Sequence, residues 1–184
     1  MAEYVSRAGQ KLEHAIKTFS IDPRGLACAD LGSNVGGFVD CLLQHGAAQV
    51  YAVEKGYGVL EWKLRKDARV VVMERVNAMH VQLPEAVDLV TIDVAWTRQK
   101  NILPAAARIL KPDGLVITLI KPHYEADQRL LKGGVLMQEE LDGVIGHVRN
   151  DIKDVGFELL AITQSPILGA KGNVEMLAQL RSVR

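Results

Sequence analysis

Between residues 26 and 54 the chain reads LACADLGSNVGGFVDCLLQHGAAQVYAVE, a stretch that admits few shapes other than strand, turn, helix and strand. An apolar run closes on Asp30, a turn carrying Gly32, Gly36 and Gly37 follows, a helical pattern runs from Gly37 to Gly46, and a second apolar run closes on Glu54. Glycine lets backbone come close to a ligand, and a helix starting near Gly37 points its free N–H groups into the turn. These features describe a nucleoside-sized binding site at a strand end. Glu54, at the end of the next strand, stands where a carboxylate accepts from a ribose diol.

Spacing and charge decide which nucleotide. A dinucleotide fingerprint reads G-x-G-x-x-G and keeps the turn clear for a pyrophosphate, whereas this turn reads Asp30-Leu31-Gly32-Ser33-Asn34-Val35-Gly36-Gly37. A carboxylate at position 30 repels phosphate. It suits a cation instead, such as the ammonium and sulfonium of S-adenosylmethionine, and leaves Glu54 for the ribose. An ordinary strand-helix turn with a surface acid is the plain alternative, because isolated glycine-rich turns are common.

The rest of the chain continues the alternation. Residues 6–19 carry Leu12, Ala15, Ile16 and Phe19 at helical spacing behind Ser6 as a cap. A helix over 58–67, a strand over 69–73 and a loop over 74–84 follow, with Asn77 in the loop either facing an adenosine or serving the turn. Residues 87–94 form an apolar run ending near Asp93, as a strand buried on both faces requires. A helix over 98–110, a turn at Lys111-Pro112-Asp113-Gly114 and a strand over 115–120 then deliver Lys121. Residues 122–136 hold a Gly-Gly pair without periodicity and read as a mobile loop; a helix over 138–155 and strands over 157–163 and 174–180 complete the chain. Alternation of this kind predicts an α/β fold with a mostly parallel sheet and ligands at C-terminal strand ends, where Asp30, Glu54, Asp93 and Lys121 all fall.

Composition narrows the class. With 184 residues, 48% of them hydrophobic and 24% charged, the chain reads as one soluble core. No apolar run is long enough to span a membrane and no leader is evident, so a cytoplasmic, membrane-free protein is expected. Cys28 and Cys41 fall in apolar patterns without a C-x-x-C or Cys/His cluster, which predicts reduced core cysteines and no metal site. Lys plus Arg and Asp plus Glu each number 22, so any RNA binding must use a local patch or a partner.

Asp93 and Lys121 should emerge side by side beside the glycine turn. The pair is read either as a structural ion pair or as a lysine tuned to accept a proton from an attacking hydroxyl. An N-methyltransferase would place an Asn-Pro-Pro-aromatic segment at the fourth strand end, where this chain has Asp93-Val94-Ala95-Trp96.

Several separate stretches carry a resemblance. Tyr4-Val5-Ser6-Arg7-Ala8-Gly9-Gln10-Lys11-Leu12, Asp30 to Asp40, Gly56-Tyr57-Gly58, Thr91-Ile92-Asp93-Val94, Ile120-Lys121-Pro122 and Gly169-Ala170-Lys171-Gly172-Asn173-Val174-Glu175 resemble, in order, the FtsJ-like ribose 2'-O-methyltransferases, and among these the TlyA-type rRNA methyltransferases, some of which are called haemolysins. The resemblance implies a Rossmann-like S-adenosylmethionine-dependent methyltransferase fold, a seven-stranded mostly parallel sheet with helices on both faces. Residues 1–184 would be one FtsJ-like domain, with 1–22 a helical extension.

It implies a catalytic tetrad of Lys11, Asp93, Lys121 and Glu175. Lys121 would activate the 2'-hydroxyl, Asp93 and Glu175 would hold and tune it, and Lys11 would position the target ribose. On spacing alone, Lys11 reads as a surface lysine and Glu175 as an exposed strand residue. The implied cofactor set is Asp30, Gly32, Ser33, Asn34, Gly36, Gly37, Phe38, Glu54, Lys55, Asn77 and Asp93, and the implied substrate is RNA, as rRNA or a ribosomal subunit.

The chain also departs from the pattern. TlyA-type proteins carry a small S4-type RNA-binding domain ahead of this region, and the sequence starts where that domain would end, so a separate RNA-binding protein is an expected partner. A Ser-Phe-Ile-Ser-like segment after the aspartate is here Val94-Ala95-Trp96-Thr97-Arg98, and Pro-Gln-Phe-Glu after the lysine is Pro122-His123-Tyr124-Glu125. Both flank the acceptor side, where Trp96 or Tyr124 could stack on an extruded base. A small-molecule O-methyltransferase and a non-catalytic cofactor-binding protein of the same fold are the alternatives. A membrane-active haemolysin is disfavoured by the lack of a spanning segment or a strongly amphipathic basic helix.

Overall fold

The apolar runs become strands β1 (Ala27–Leu31), β2 (Gln49–Glu54), β3 (Val70–Glu74), β4 (Val87–Ile92), β5 (Leu110–Ile120), β8 (Phe157–Gln164) and β9 (Met176–Ser182), and two short strands, β6 (Leu131–Lys132) and β7 (Val135–Leu136), arise in place of the expected loop. The helices are α1 (Ala8–Phe19), α2 (Gly37–Gln44), α3 (Trp62–Arg65), α4 (Gln99–Ile109), α5 (Pro122–Glu125) and α6 (Leu141–Asp154). These elements come from a computed structural model that describes residues 3–183.

Seven strands pair in the order β3-β2-β1-β4-β5-β9-β8, with β6 and β7 forming a separate hairpin. Strands β1 to β5 run parallel, and β9 inserts antiparallel between β5 and β8. The order reverses between β1 and β4, so the crevice for a ligand opens above those two strand ends.

Helices cover both faces because the strands are apolar on both. Along β1 the side chains alternate: Cys28 joins a cluster with Leu12, Ile16, Phe38 and Leu42 of α1 and α2, while Ala29 and Leu31 join Ile102, Leu103, Val148 and Ile152 of α4 and α6. Each fully buried Leu or Ile contributes about 1.5–3 kcal/mol of transfer free energy, so the two layers rather than helix propensity fix the helices. Cys28 and Cys41 are free and buried, and burial pushes both thiols up to about 12, as inert core residues should be.

Some elements differ from expectation. The helix expected over 58–67 shrinks to α3, because Gly58 takes φ 72° and Glu61 is extended, its carboxylate capping Trp62 N at 3.0 Å. The turn at 111–114 lies inside β5: Val87 pairs with Leu110 and Leu89 with Leu115, and the register shift between them accommodates the extra residues as a bulge. Ser6 does not cap α1; Arg7 holds the cap position with helical torsions and no side-chain bond.

Residues 122–136 are not an unstructured loop. They form α5, a 3-10 turn over Gln128–Leu130 and the β6–β7 hairpin, which turns at Gly133 and Gly134 with φ 61° and 84°. Asn173 ties this hairpin down, accepting from Leu136 N at 3.0 Å and donating to Gly134 O at 3.0 Å. The partner lies 37 residues away, outside the reach of any local periodicity.

Candidate active site

Parallel register sets Asp30 opposite Thr91, and the two side chains bond: Thr91 Oγ1 donates to Asp30 Oδ1 at 2.7 Å. Both residues are buried, and Asp30 Oδ2 has no partner among the described residues. Burial pushes the Asp30 carboxyl up to about 7, with the Thr91 bond opposing the rise. Ser33, 4% exposed, likewise keeps an Oγ without a partner. Both line one cleft of about 840 Å³ above the β1 and β4 ends.

Twelve of the residues singled out from sequence line that cleft: Lys11, Asp30, Gly32, Ser33, Asn34, Gly37, Phe38, Glu54, Lys55, Asn77, Asp93 and Lys121. Glu54 accepts from Asn34 N at 2.9 Å and from Gly56 N at 2.7 Å, so it holds the glycine turn from below. Asn77 caps the short turn over Ala78–His80, accepting from Met79 N at 3.0 Å while lining the cleft.

Gly36 is not among the lining residues. It takes φ 102°, and a Cβ there would meet Leu64 Cδ1 at 2.3 Å and Leu60 Cδ1 at 2.8 Å, so it makes room for the segment before and within α3. Gly37 also serves packing, since a Cβ would come within 2.3 Å of Ser6 Oγ and 2.9 Å of Ala8 Cβ. The missing side chain thus lets the start of α1 abut α2, which carries Ser6, Arg7 and Ala8 to the cleft wall. Periodicity gave no sign that these three reach the cleft, because the contact joins elements some thirty residues apart; they fall in the Tyr4–Leu12 stretch that carries the family resemblance.

The four tetrad positions form two ion pairs. Lys121 Nζ lies 2.6 Å from Asp93 Oδ1, with the side chains 15% and 20% exposed, and also donates to Val94 O at 3.1 Å. Lys11 Nζ lies 2.5 Å from Glu175 Oε2, the side chains 8% and 4% exposed. Lys11, Asp93 and Lys121 line the cleft while Glu175 stands behind Lys11. The antiparallel pairing of Ile120 with Met176 is what sets Lys121 and Glu175 next to each other at the sheet's end. A Cβ on Gly169 would strike Glu175 Oε1 at 2.3 Å, so the Gly169 turn is shaped around that carboxylate.

Two aromatic rings complete the acceptor side. Trp96, 83% exposed and on the cleft wall, stacks on Tyr124 with centroids 4.8 Å apart and planes 27° from parallel. Its φ is 59°, a left-handed conformation that costs a bulky residue roughly 1–3 kcal/mol and that clusters at functional sites. His123 is buried beside Tyr124, and desolvation lowers its imidazole below the ordinary value.

Comparison with known proteins fits this geometry. A model of the FtsJ-like methyltransferase family matches residues 4–182. The chain belongs to the FtsJ-like methyltransferase family. Among relatives of the family, it is 40% identical over 182 residues to "Hemolysin A" of Brachyspira hyodysenteriae, covering 96% of this chain and 76% of that one. It is 37% identical over 185 residues to the "16S/23S rRNA (cytidine-2'-O)-methyltransferase TlyA" of Mycobacterium tuberculosis, covering 97% of this chain and 69% of that one. A solved structure from Streptococcus thermophilus with a provisional hemolysin label superposes with a TM-score of 0.95 at 37% identity, over 99% of this chain and 68% of that one. Among the described residues, no helix is long and apolar enough to cross a membrane.

Proposed function

We propose that this FtsJ-like chain is an S-adenosylmethionine-dependent ribose 2'-O-methyltransferase acting on RNA, with ribosomal RNA or a ribosomal subunit as substrate. The carrying observation is the pair of salt bridges, Lys121–Asp93 and Lys11–Glu175, at the acceptor side of a cleft whose floor holds a buried carboxyl group, Asp30, with one oxygen unpartnered. On this reading residues 1–184 act as one methyltransferase domain with 1–22 as its helical extension, in the cytoplasm, with a separate RNA-binding protein contributing affinity.

The residues present fit the cofactor. Asp30 Oδ2 and Ser33 Oγ are buried polar atoms in need of partners, and an ammonium supplies them. Glu54 keeps lone pairs for a ribose diol after accepting from two backbone N–H groups. Phe38, Lys55, Asn77 and Met79 wall the same cleft and would flank the adenosine. Bound there, the cofactor supplies an electrophilic methyl group on a sulfonium.

The chain's own groups handle the acceptor. Asp93 Oδ1 and Val94 O hold the Lys121 Nζ on two sides and leave its remaining position for the acceptor hydroxyl. As the hydroxyl oxygen bonds the methyl carbon and the sulfur–carbon bond breaks, which would release a neutral thioether, the hydroxyl proton would pass to Lys121 in its amine form, and the Asp93 carboxylate would stabilise the ammonium formed. Lys11, fixed by Glu175, presents a buried positive charge that positions the target ribose. Trp96 on Tyr124 offers a face on which an extruded base can stack.

Labelled S-adenosylmethionine incubated with ribosomal subunits and rRNA tests this reading. Wild-type protein should label RNA at ribose, and Lys121→Ala should lower turnover about 10²–10⁴-fold. Equal labelling by the two proteins would refute the assignment, and label found only in a metabolite fraction would move the acceptor to a small-molecule hydroxyl.

A further inference from the structure

Outside the cleft, the segment between β2 and β3 exposes two large aromatic side chains. Tyr57 is 72% exposed and Trp62 is 64% exposed, and neither belongs to a core cluster. Each ring has a cation over it: the Arg75 guanidinium lies 4.3 Å from the Tyr57 centroid, and Lys66 Nζ lies 5.0 Å from that of Trp62. Lys55 and Lys63 are exposed on the same segment, Lys63 paired with Asp40 at 3.0 Å, against Glu61 as its exposed acid. In a chain of zero net charge this is a concentrated run of positive charge interleaved with flat apolar faces.

The segment is also fixed to the catalytic body. Glu61 N donates to Val35 O at 3.1 Å, Leu60 and Leu64 fill the space that Gly36 leaves, and Arg65 pairs with Glu74. Lys55 and Val59 belong to the cleft wall, so the segment that carries the two rings starts at the cleft. The two rings contribute nothing to the core and lie five residues apart on a base tied to the rest of the fold, so their faces are held out to solvent. Cation-flanked aromatic faces match the stacked bases and phosphates of an unpaired nucleic-acid strand, because each base has a π-face and each phosphate a charge.

We propose that Tyr57 and Trp62, with Arg75 and Lys66, form a second RNA-binding surface that holds unpaired nucleotides of the substrate strand outside the catalytic cleft. The proposal rests on the reading of the substrate as RNA. It makes the β2–β3 segment a source of affinity within this chain, separate from the tetrad and from Trp96.

Fluorescence anisotropy with a labelled single-stranded RNA of about 12 nucleotides tests it, a length within the site sizes of stacking grooves. Tyr57→Ala/Trp62→Ala should weaken binding by about tenfold or more, the loss expected from removing stacking platforms. Tyr57→Phe/Trp62→Phe should bind as wild type. Arg75→Ala/Lys66→Ala should reduce the slope of log affinity against log salt by roughly 0.7 per charge removed. Unchanged S-adenosylhomocysteine binding in all variants would show that the fold is intact.

Wild-type RNA affinity in the double alanine variant would overturn the proposal and leave a protein partner as the occupant of this surface. Equal losses in the alanine and phenylalanine variants would overturn it too, since the stacking faces would then not be the cause. If wild type methylates RNA but the alanine variant binds it equally well, this surface alone is wrong. If aromatic-dependent RNA binding appears without any methylation of RNA, the catalytic reading fails and the surface stands.

Discussion

The ammonium of Lys11 and the carboxylate of Glu175, 164 residues apart in the chain, meet at 2.5 Å, almost sealed from solvent. A buried pair of this kind is costly to break and inexpensive to replace, since removing one partner strands the other charge at about 3–5 kcal/mol while an apolar pair of similar volume is often neutral. Lys11→Met and Glu175→Met should each lower the urea midpoint strongly. The double variant should regain most of that stability and still fail to methylate. Denaturant titration alongside a methylation assay separates the two roles, and a double variant as unstable as the singles would show that pairing is not what sets the cost.

Asp30 carries a stability cost of the opposite kind. Its carboxyl is raised from 3.8 to about 7 in the fold, so between those values the folded protein holds a proton that the unfolded chain has lost. Stability of the cofactor-free protein should therefore fall as pH rises from about 4 to about 7, and Asp30→Asn should remove that slope and raise the melting temperature at pH 8. A ligand bearing an ammonium prefers the ionised form, so S-adenosylhomocysteine should bind more tightly as pH passes upward through about 7 in wild type and weakly at all pH values in the variant. Calorimetry at pH 6 and pH 8 checks this.

Gly37 controls where Lys11 sits. The φ of this residue is ordinary, so Gly37→Ala adds no backbone strain, yet its methyl would overlap Ser6 Oγ and crowd Gly9 N at 3.0 Å. The start of α1 must move. A displacement near 1 Å at a positioning group costs about 10²-fold in rate, so kcat should fall by about that factor while cofactor affinity changes far less. Steady-state kinetics with a cofactor titration would show the split; equal losses in both would mean that the turn itself had collapsed.

Trp96 should reveal its purpose through its strain. Trp96→Gly removes the left-handed penalty at φ 59° and should leave the protein as stable or more stable by about 1 kcal/mol. The same change removes the ring stacked on Tyr124. An RNA KM raised about tenfold, in a protein that melts no lower than wild type, is the expected result. Loss of stability with unchanged KM would mark the ring as packing.

The parallel sheet and the cofactor turn were legible from sequence because they rest on local patterns: apolar runs of strand length, a helix between them and charged residues at their ends. Asp30, Glu54, Asp93 and Lys121 needed nothing beyond that. Lys11 and Glu175 were legible only through family resemblance, since their meaning comes from an antiparallel strand inserted late in the chain. Gly36 shows the limit of motif reading, because its φ 102° and its neighbours Leu60 and Leu64 give it a packing role that a glycine-rich pattern cannot distinguish from ligand contact. The β6–β7 hairpin was missed for a similar reason: Asn173, not any periodicity in 122–136, holds it in place.

Strand β9 closes the sheet from within, between β5 and β8, although it follows β8 in the chain and leaves the ribosome after it. A nascent chain that has emerged as far as β8 already carries every strand that walls the cofactor cleft, together with Asp93 and Lys121. It leaves Lys11 without its counter-charge and β5 with an open edge until residues 175–182 arrive. Synthesis therefore supplies both partners of the Lys121–Asp93 ion pair well before it supplies Glu175, and Lys11 waits for its counter-charge until the gap inside the sheet is filled.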